Sequence, residues 1–179
     1  MTLQRIQDCV PPPPDPIHTG ALSSWEAIQK RLDVTLPTCL AEYGRVYVSG
    51  YFEGANTNEV RIYNPFDPAY ENFTRRLCHI YAKLKDGSPE YFRFECFPAK
   101  NSLFPIANGT SQTSFWIRQS ANPERYTVIF DDVTTGLLEF PNLSVFEFFY
   151  EFFQNRIEKI PYFSEPISFV KMPLHFFPD

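Results

Sequence analysis

The nine residues VFEFFYEFF at 145–153 carry five phenylalanines and restrict the chain more than any other stretch. Ser144 before them and Glu147 three places on spell a capping box, in which the hydroxyl accepts from the amide of Glu147 and the carboxylate accepts from the amide of Ser144. Leu143 and Phe148 fit the accompanying hydrophobic staple. A helix begun there sets Glu147, Glu151, Gln154 and Glu158 on one narrow polar stripe. It turns Val145, Phe146, Phe148, Phe149, Phe152, Phe153 and Ile157 away from water. Burying one such aromatic is worth roughly 1.5–3 kcal/mol, so this helix needs a broad apolar surface to lie on.

The residues ahead of it supply one. Residues 103–107 are apolar, Asn108-Gly109 offers the positive-φ pair of a tight hairpin, and 114–118 alternate through Phe115, Trp116 and Ile117. A polar turn at 120–124 leads into the β-branched and aromatic run 126–130, which Asp131-Asp132 stops. Upstream, residues 46–52 and 59–64 read as two strands around a polar loop, and YFRFECF at 91–97 alternates as another.

Three further helices are expected. One starts at Ser23, with a second capping box to Glu26 and with Trp25, Ile28 and Leu32 on one face. The next opens at Leu36-Pro37, buries Cys39, Leu40 and Tyr43, and ends at Gly44. The last opens at Asp67-Pro68, buries Tyr70, Phe73, Leu77, Ile80 and Leu84, and ends at Gly87. The reading is an α+β single domain over 23–160, with a central antiparallel meander sheet flanked by helices. Residues 1–22 form a Pro-rich extended arm, and the Pro- and Phe-rich tail 161–179 packs on the domain or on a neighbouring copy.

A net charge of −5 argues against direct binding of nucleic acid, whose phosphates are met by Lys and Arg. An acidic surface suits a basic protein partner or serves solubility. The chain has no P-loop, GxGxxG, GxSxG or HExxH motif, and His18, His79 and His175 lie far apart, so no cofactor, metal or catalytic role is expected. Cys9, Cys39, Cys78 and Cys96 form no CxxC and read as reduced thiols. No run approaches ~18 apolar residues and the first residues lack a signal-peptide pattern, so the expected location is cytoplasmic, with no membrane contact. Asp131 and Asp132, adjacent on a strand, point to opposite faces and are poorly set to converge on one atom. Trp116 sits beside Phe115, so one of the two faces out; a sheet with helices on one face leaves the other as a binding surface. The candidate contacts are Glu53, Glu59, Trp116, Glu124, Asp131 and Asp132.

The ordered series of Leu36-Pro37 to Tyr43, IYNP at 62–65, LFPIANG at 103–109, FWI at 115–117, YTVIFDD at 126–132 and the closing Phe-rich helix resembles the SUKH superfamily over about residues 23–160. Many relatives carry Gly-Asp before the Trp-bearing strand; Ser111-Gln112-Thr113-Ser114 stands there instead, so no role carries over to that turn. The resemblance implies a meander sheet with flanking helices and no enzyme activity. Bacterial members look like immunity proteins that bind and block a cognate polymorphic toxin, often a nuclease, and eukaryotic relatives are scaffolding or regulatory modules. The expectation is therefore an immunity protein that occludes the active site of a basic toxin. The alternative is a regulatory interaction module that forms a homodimer through the arm and tail.

Overall fold

A computed structural model describes residues 3–15, 20–48, 50–56, 58–110, 113–118, 122, 124–132, 136–157, 160 and 167–171. Its centre is a seven-stranded antiparallel sheet in the order β6-β5-β4-β3-β2-β1-β7. The strands are β1 (Gly50–Gly54), β2 (Glu59–Ile62), β3 (Leu103–Gly109), β4 (Ser114–Arg118), β5 (Tyr126–Asp132), β6 (Gly136–Leu143) and β7 (Ile167–Lys171). The helices are α1 (Gln4–Cys9), α2 (Leu22–Leu32), α3 (Thr38–Val46), α4 (Tyr70–Gly87) and α5 (Val145–Phe153). The fold is mixed α+β, as the sequence indicates.

Helix α5 forms as its local signals dictate. Ser144 Oγ accepts from the Glu147 amide at 3.1 Å, and Glu147 Oε2 accepts from the Ser144 amide at 2.8 Å. The helix stops at Phe153, short of the expected Ile157. Asn155 takes the left-handed conformation (φ 51°), and the amides of Asn155 and Arg156 turn back to the carbonyls of Phe152 and Glu151, a Schellman closure. All five phenylalanines are buried. Phe152 meets Phe115 at 5.1 Å between centroids, Phe148 meets Phe140 at 5.2 Å and Phe153 meets Phe52 at 4.5 Å, so α5 seals one face from β6 to β1.

Several elements depart from the sequence reading. The N-terminal segment is not an extended arm throughout. Residues 4–9 form α1, which buries Leu3, Ile6 and Val10, and Tyr47 donates its hydroxyl to the Val10 carbonyl at 2.5 Å. Helix α2 starts at Leu22 with Ala21 as an uncapped N-cap, so Ser23 lies inside it and is not its cap. Helix α3 runs through Gly44 to Val46, which moves the first strand on to Gly50. Asn108 and Gly109 belong to β3, and the reversal comes one step later, where Gly109 donates to the Thr113 carbonyl.

Strand β6 has no counterpart in the sequence reading; it carries Pro141, which an edge strand tolerates. Residues 91–97 are irregular, and their backbone pairs with the sheet at the single Cys96–Leu103 bridge among the described residues. Their alternation packs Phe92 edge-on to Tyr81 and holds Phe94 between Arg93 and Arg118. Within the tail, β7 pairs with β1, and Phe169 lies 5.2 Å from both Tyr47 and Phe52. Gly50 admits it, since a Cβ there would come within 2.5 Å of Phe169 and of the Val170 carbonyl. The rest of the tail, with Glu158, lies outside the described residues.

Candidate functional site

The second face of the sheet is covered less completely. Helix α4 lies across it and buries Tyr70, Thr74, Cys78 and Tyr81, with Tyr81 at 5.2 Å from Trp116 and Phe73 stacked on Tyr63 at 5.5 Å. The expected apolar stripe is therefore rotated. Leu77 is half-buried, while Ile80 and Leu84 are 43% and 46% exposed. A helix with apolar residues on more than one face cannot bury them all against a single sheet. The surplus side chains of α4 wall a cleft of about 450 Å³, bounded on the sheet side by Asn108, Gly109, Thr113, Ser114, Trp116 and Asp131 and at one end by Phe92. That volume is in the range of ligand sites, and its walls are mostly apolar.

Polar groups converge at the sheet side. Trp116 Nε1 donates to Ser114 Oγ at 2.8 Å, and Ser114 Oγ donates to Asp131 Oδ2 at 3.4 Å. This relay reaches the Asp131 carboxylate at the cleft. Burial is the main cause that pushes the Asp131 carboxyl up to about 6; the bond from Ser114 opposes the shift and the Asp132 charge adds to it. Strand register extends the polar surface: Asp131, Ser114, Asn108 and Arg61 are successive cross-strand partners, and Tyr51 continues the row on β1. Desolvation, then Glu59 and Glu53, hold the Tyr51 phenol above its ordinary value.

Three basic side chains near the cleft are engaged elsewhere. Lys85 pairs with Glu95 and donates to the Phe94 carbonyl at 3.0 Å; Arg93 and Arg118 both meet Glu139. Among the described residues, no basic side chain makes an ion pair with Asp131.

The sequence-predicted contacts fall into four groups. Asp131, Glu53 and Glu59 share the α4 face, but at different places: Asp131 is at the cleft, whereas Glu53 and Glu59 oppose each other across β1 and β2. Trp116 is 2% exposed, so it is a buried floor and not an exposed anchor. The expectation that a whole face stays open is corrected with it, because α4 and residues 88–102 cover the middle of that face.

Asp132 takes the opposite parity at the end of β5. Glu124 serves the fold: its Oε1 accepts from the Thr38 amide at 3.0 Å and the Thr38 hydroxyl at 2.7 Å, which caps α3 from a distant segment. Beside it burial, followed by the Glu124 charge, pushes the Cys39 thiol up to about 12, so it is not a nucleophile.

Compared with protein-family models, curated proteins and solved structures, the chain has no significant match. The site must be read from its own geometry. Sequence reasoning missed Ser114, Asn108, Ile80 and Leu84 as site residues. The available signal lay in α4, where two apolar stripes, 70/74/78/81 and 73/77/80/84, compete for one sheet. Among the described residues no helix is long and apolar enough to cross a membrane, and no group of three or more His, Cys, Asp or Glu could hold a metal ion.

Proposed function

We propose that this chain is a non-enzymatic, SUKH-like immunity protein of the bacterial cytoplasm, which binds a basic cognate toxin such as a nuclease and occludes its active site. The observation that carries this reading is Asp131: a partly desolvated carboxylate with no ion-pair partner in the described structure, set in an apolar cleft whose rim exposes Ile80 and Leu84. A chain that keeps such a charge at a cost in stability has a use for it outside its own fold. The aliphatic rim would supply desolvated anchors, and the carboxylate, in a chain of net charge −5, would steer and orient a cationic surface. Glu53 and Glu59 extend the same acidic face.

The test is co-expression with the toxin domain that this reading expects to be encoded beside the chain. Growth should be restored by the native chain and lost on Asp131→Arg, which places a like charge against a basic partner. Restoration by that variant, or no restoration by the native chain, contradicts the proposal.

A second reading, a regulatory module that self-associates, draws on β7, a late-sequence strand at the edge of the sheet. Sedimentation of the full chain distinguishes it. A dimer that dissociates when Ser168, exposed on that strand, is replaced by Lys supports this reading, and a monomer at all concentrations opposes it.

A further inference from the structure

We propose that the cleft between α4 and the sheet is a receptor for one arginine side chain presented by the protein partner, with Asp131 as its counter-ion. The inference deepens the immunity reading and rests on it for the source of the arginine. Four features of the cleft specify the occupant.

First, the relay from Trp116 through Ser114 occupies Asp131 Oδ2; no described residue donates to Oδ1, which leaves it as an acceptor for an incoming group. Second, Lys85, Arg93 and Arg118 are committed to Glu95 and Glu139, and among the described residues no cation pairs with Asp131, so a partner's cation can take that place. Third, the apolar lining consists of Leu77, Phe92 and the rim residues Ile80 and Leu84, which suit an aliphatic stem and the weakly hydrated plane of a guanidinium better than a compact, strongly hydrated ammonium. Fourth, Asn108 lines the same cleft two strands from Asp131, with Ser114 between them in the cross-strand row, so the lining holds a further side-chain carbonyl able to accept from a cationic occupant. The chain already uses arginine on an aromatic ring nearby, with Arg93 and Arg118 at 5.1 and 4.9 Å from the Phe94 centroid.

The experiment is a titration of the full chain with n-butylguanidinium chloride, followed through amide ¹H–¹⁵N shifts, with n-butylammonium, guanidinium and 1-butanol as controls. n-Butylguanidinium should shift Ser114, Asp131 and Leu84 saturably, with a dissociation constant on the order of 10 mM. The three controls should bind several-fold more weakly. Asp131→Asn, which removes a desolvated charge and keeps the side-chain shape, should weaken the response about tenfold; Ser114→Ala, which removes the hydroxyl that donates to the carboxylate, should weaken it less.

Equal binding of 1-butanol would make the cleft merely apolar, equal binding of n-butylammonium would remove the preference for arginine, and unchanged binding by Asp131→Asn would remove the counter-ion. Any of the three overturns the inference. Toxin neutralisation with no n-butylguanidinium shift sinks the arginine receptor alone. Saturable shifts without neutralisation sink the toxin reading while the cation receptor stands.

Discussion

The two faces of the sheet are covered by helices of opposite character. Against one lies α5, whose apolar surface is so wide that Phe148, Phe149, Phe152 and Phe153 are all sequestered, and whose flanks are closed by α1 and α3. Against the other lies α4, twice as long, with charged residues between two apolar stripes; it covers Trp116 and Tyr63 and leaves Ile80 and Leu84 to solvent. A face sealed by interlocked rings contributes stability and nothing accessible. A face roofed by an amphipathic helix keeps a cleft and a polar row within reach of a partner. On the proposed function, binding belongs to the α4 face.

Breaking the sealed face should have the largest effect. Phe152→Ala removes a ring that packs against Phe115 and Phe148 and should cost about 3–5 kcal/mol in urea unfolding. A cost below about 1 kcal/mol would mean that this face is not the closed core described.

The next effect has the opposite sign. Asp131 has its carboxyl raised from 3.8 to about 6, so between about pH 4 and pH 6 the folded chain binds more protons than the unfolded one, and stability falls as pH rises through that window. Above it the ionised carboxylate is a full burden on the fold. Asp131→Asn should therefore stabilise the chain by about 1–2 kcal/mol at pH 7.5, after allowance for solvent at the cleft mouth, with the gain vanishing near pH 3.5. Destabilisation at pH 7.5 would contradict the account of that carboxylate.

Ser144→Ala, which removes the α5 cap, should cost about 1 kcal/mol in the same assay. The smallest effect belongs to the open face: Leu84→Ala should change stability by no more than about 0.5 kcal/mol, although the partner should bind it more weakly.

How much of this was legible in the sequence follows from the range of the interactions involved. The α5 capping box and strands β3 to β5 were readable because Ser144-x-x-Glu147 and the alternation through Phe115, Ile117, Val128 and Phe130 are local signals. Residues 91–97 misled because alternation also serves a loop that tucks Phe92 under α4. Strand β6 went unread, since the edge position that lets it carry Pro141 is a property of the whole sheet. The cleft was legible least. Ser114 and Asp131 stand seventeen residues apart and meet only through strand register, and the exposure of Ile80 depends on how α4 is rotated by its contacts with Trp116 and Tyr63.

The most direct test of the division between the two faces is amide hydrogen exchange of the full chain with and without the toxin domain proposed as its partner. Slowed exchange along the outer half of α4 around Ile80 and Leu84, and at the neighbouring end of β4, with α5 unchanged, is the predicted footprint. Protection confined to α5 and α1, with α4 exchanging as in the free chain, would contradict it.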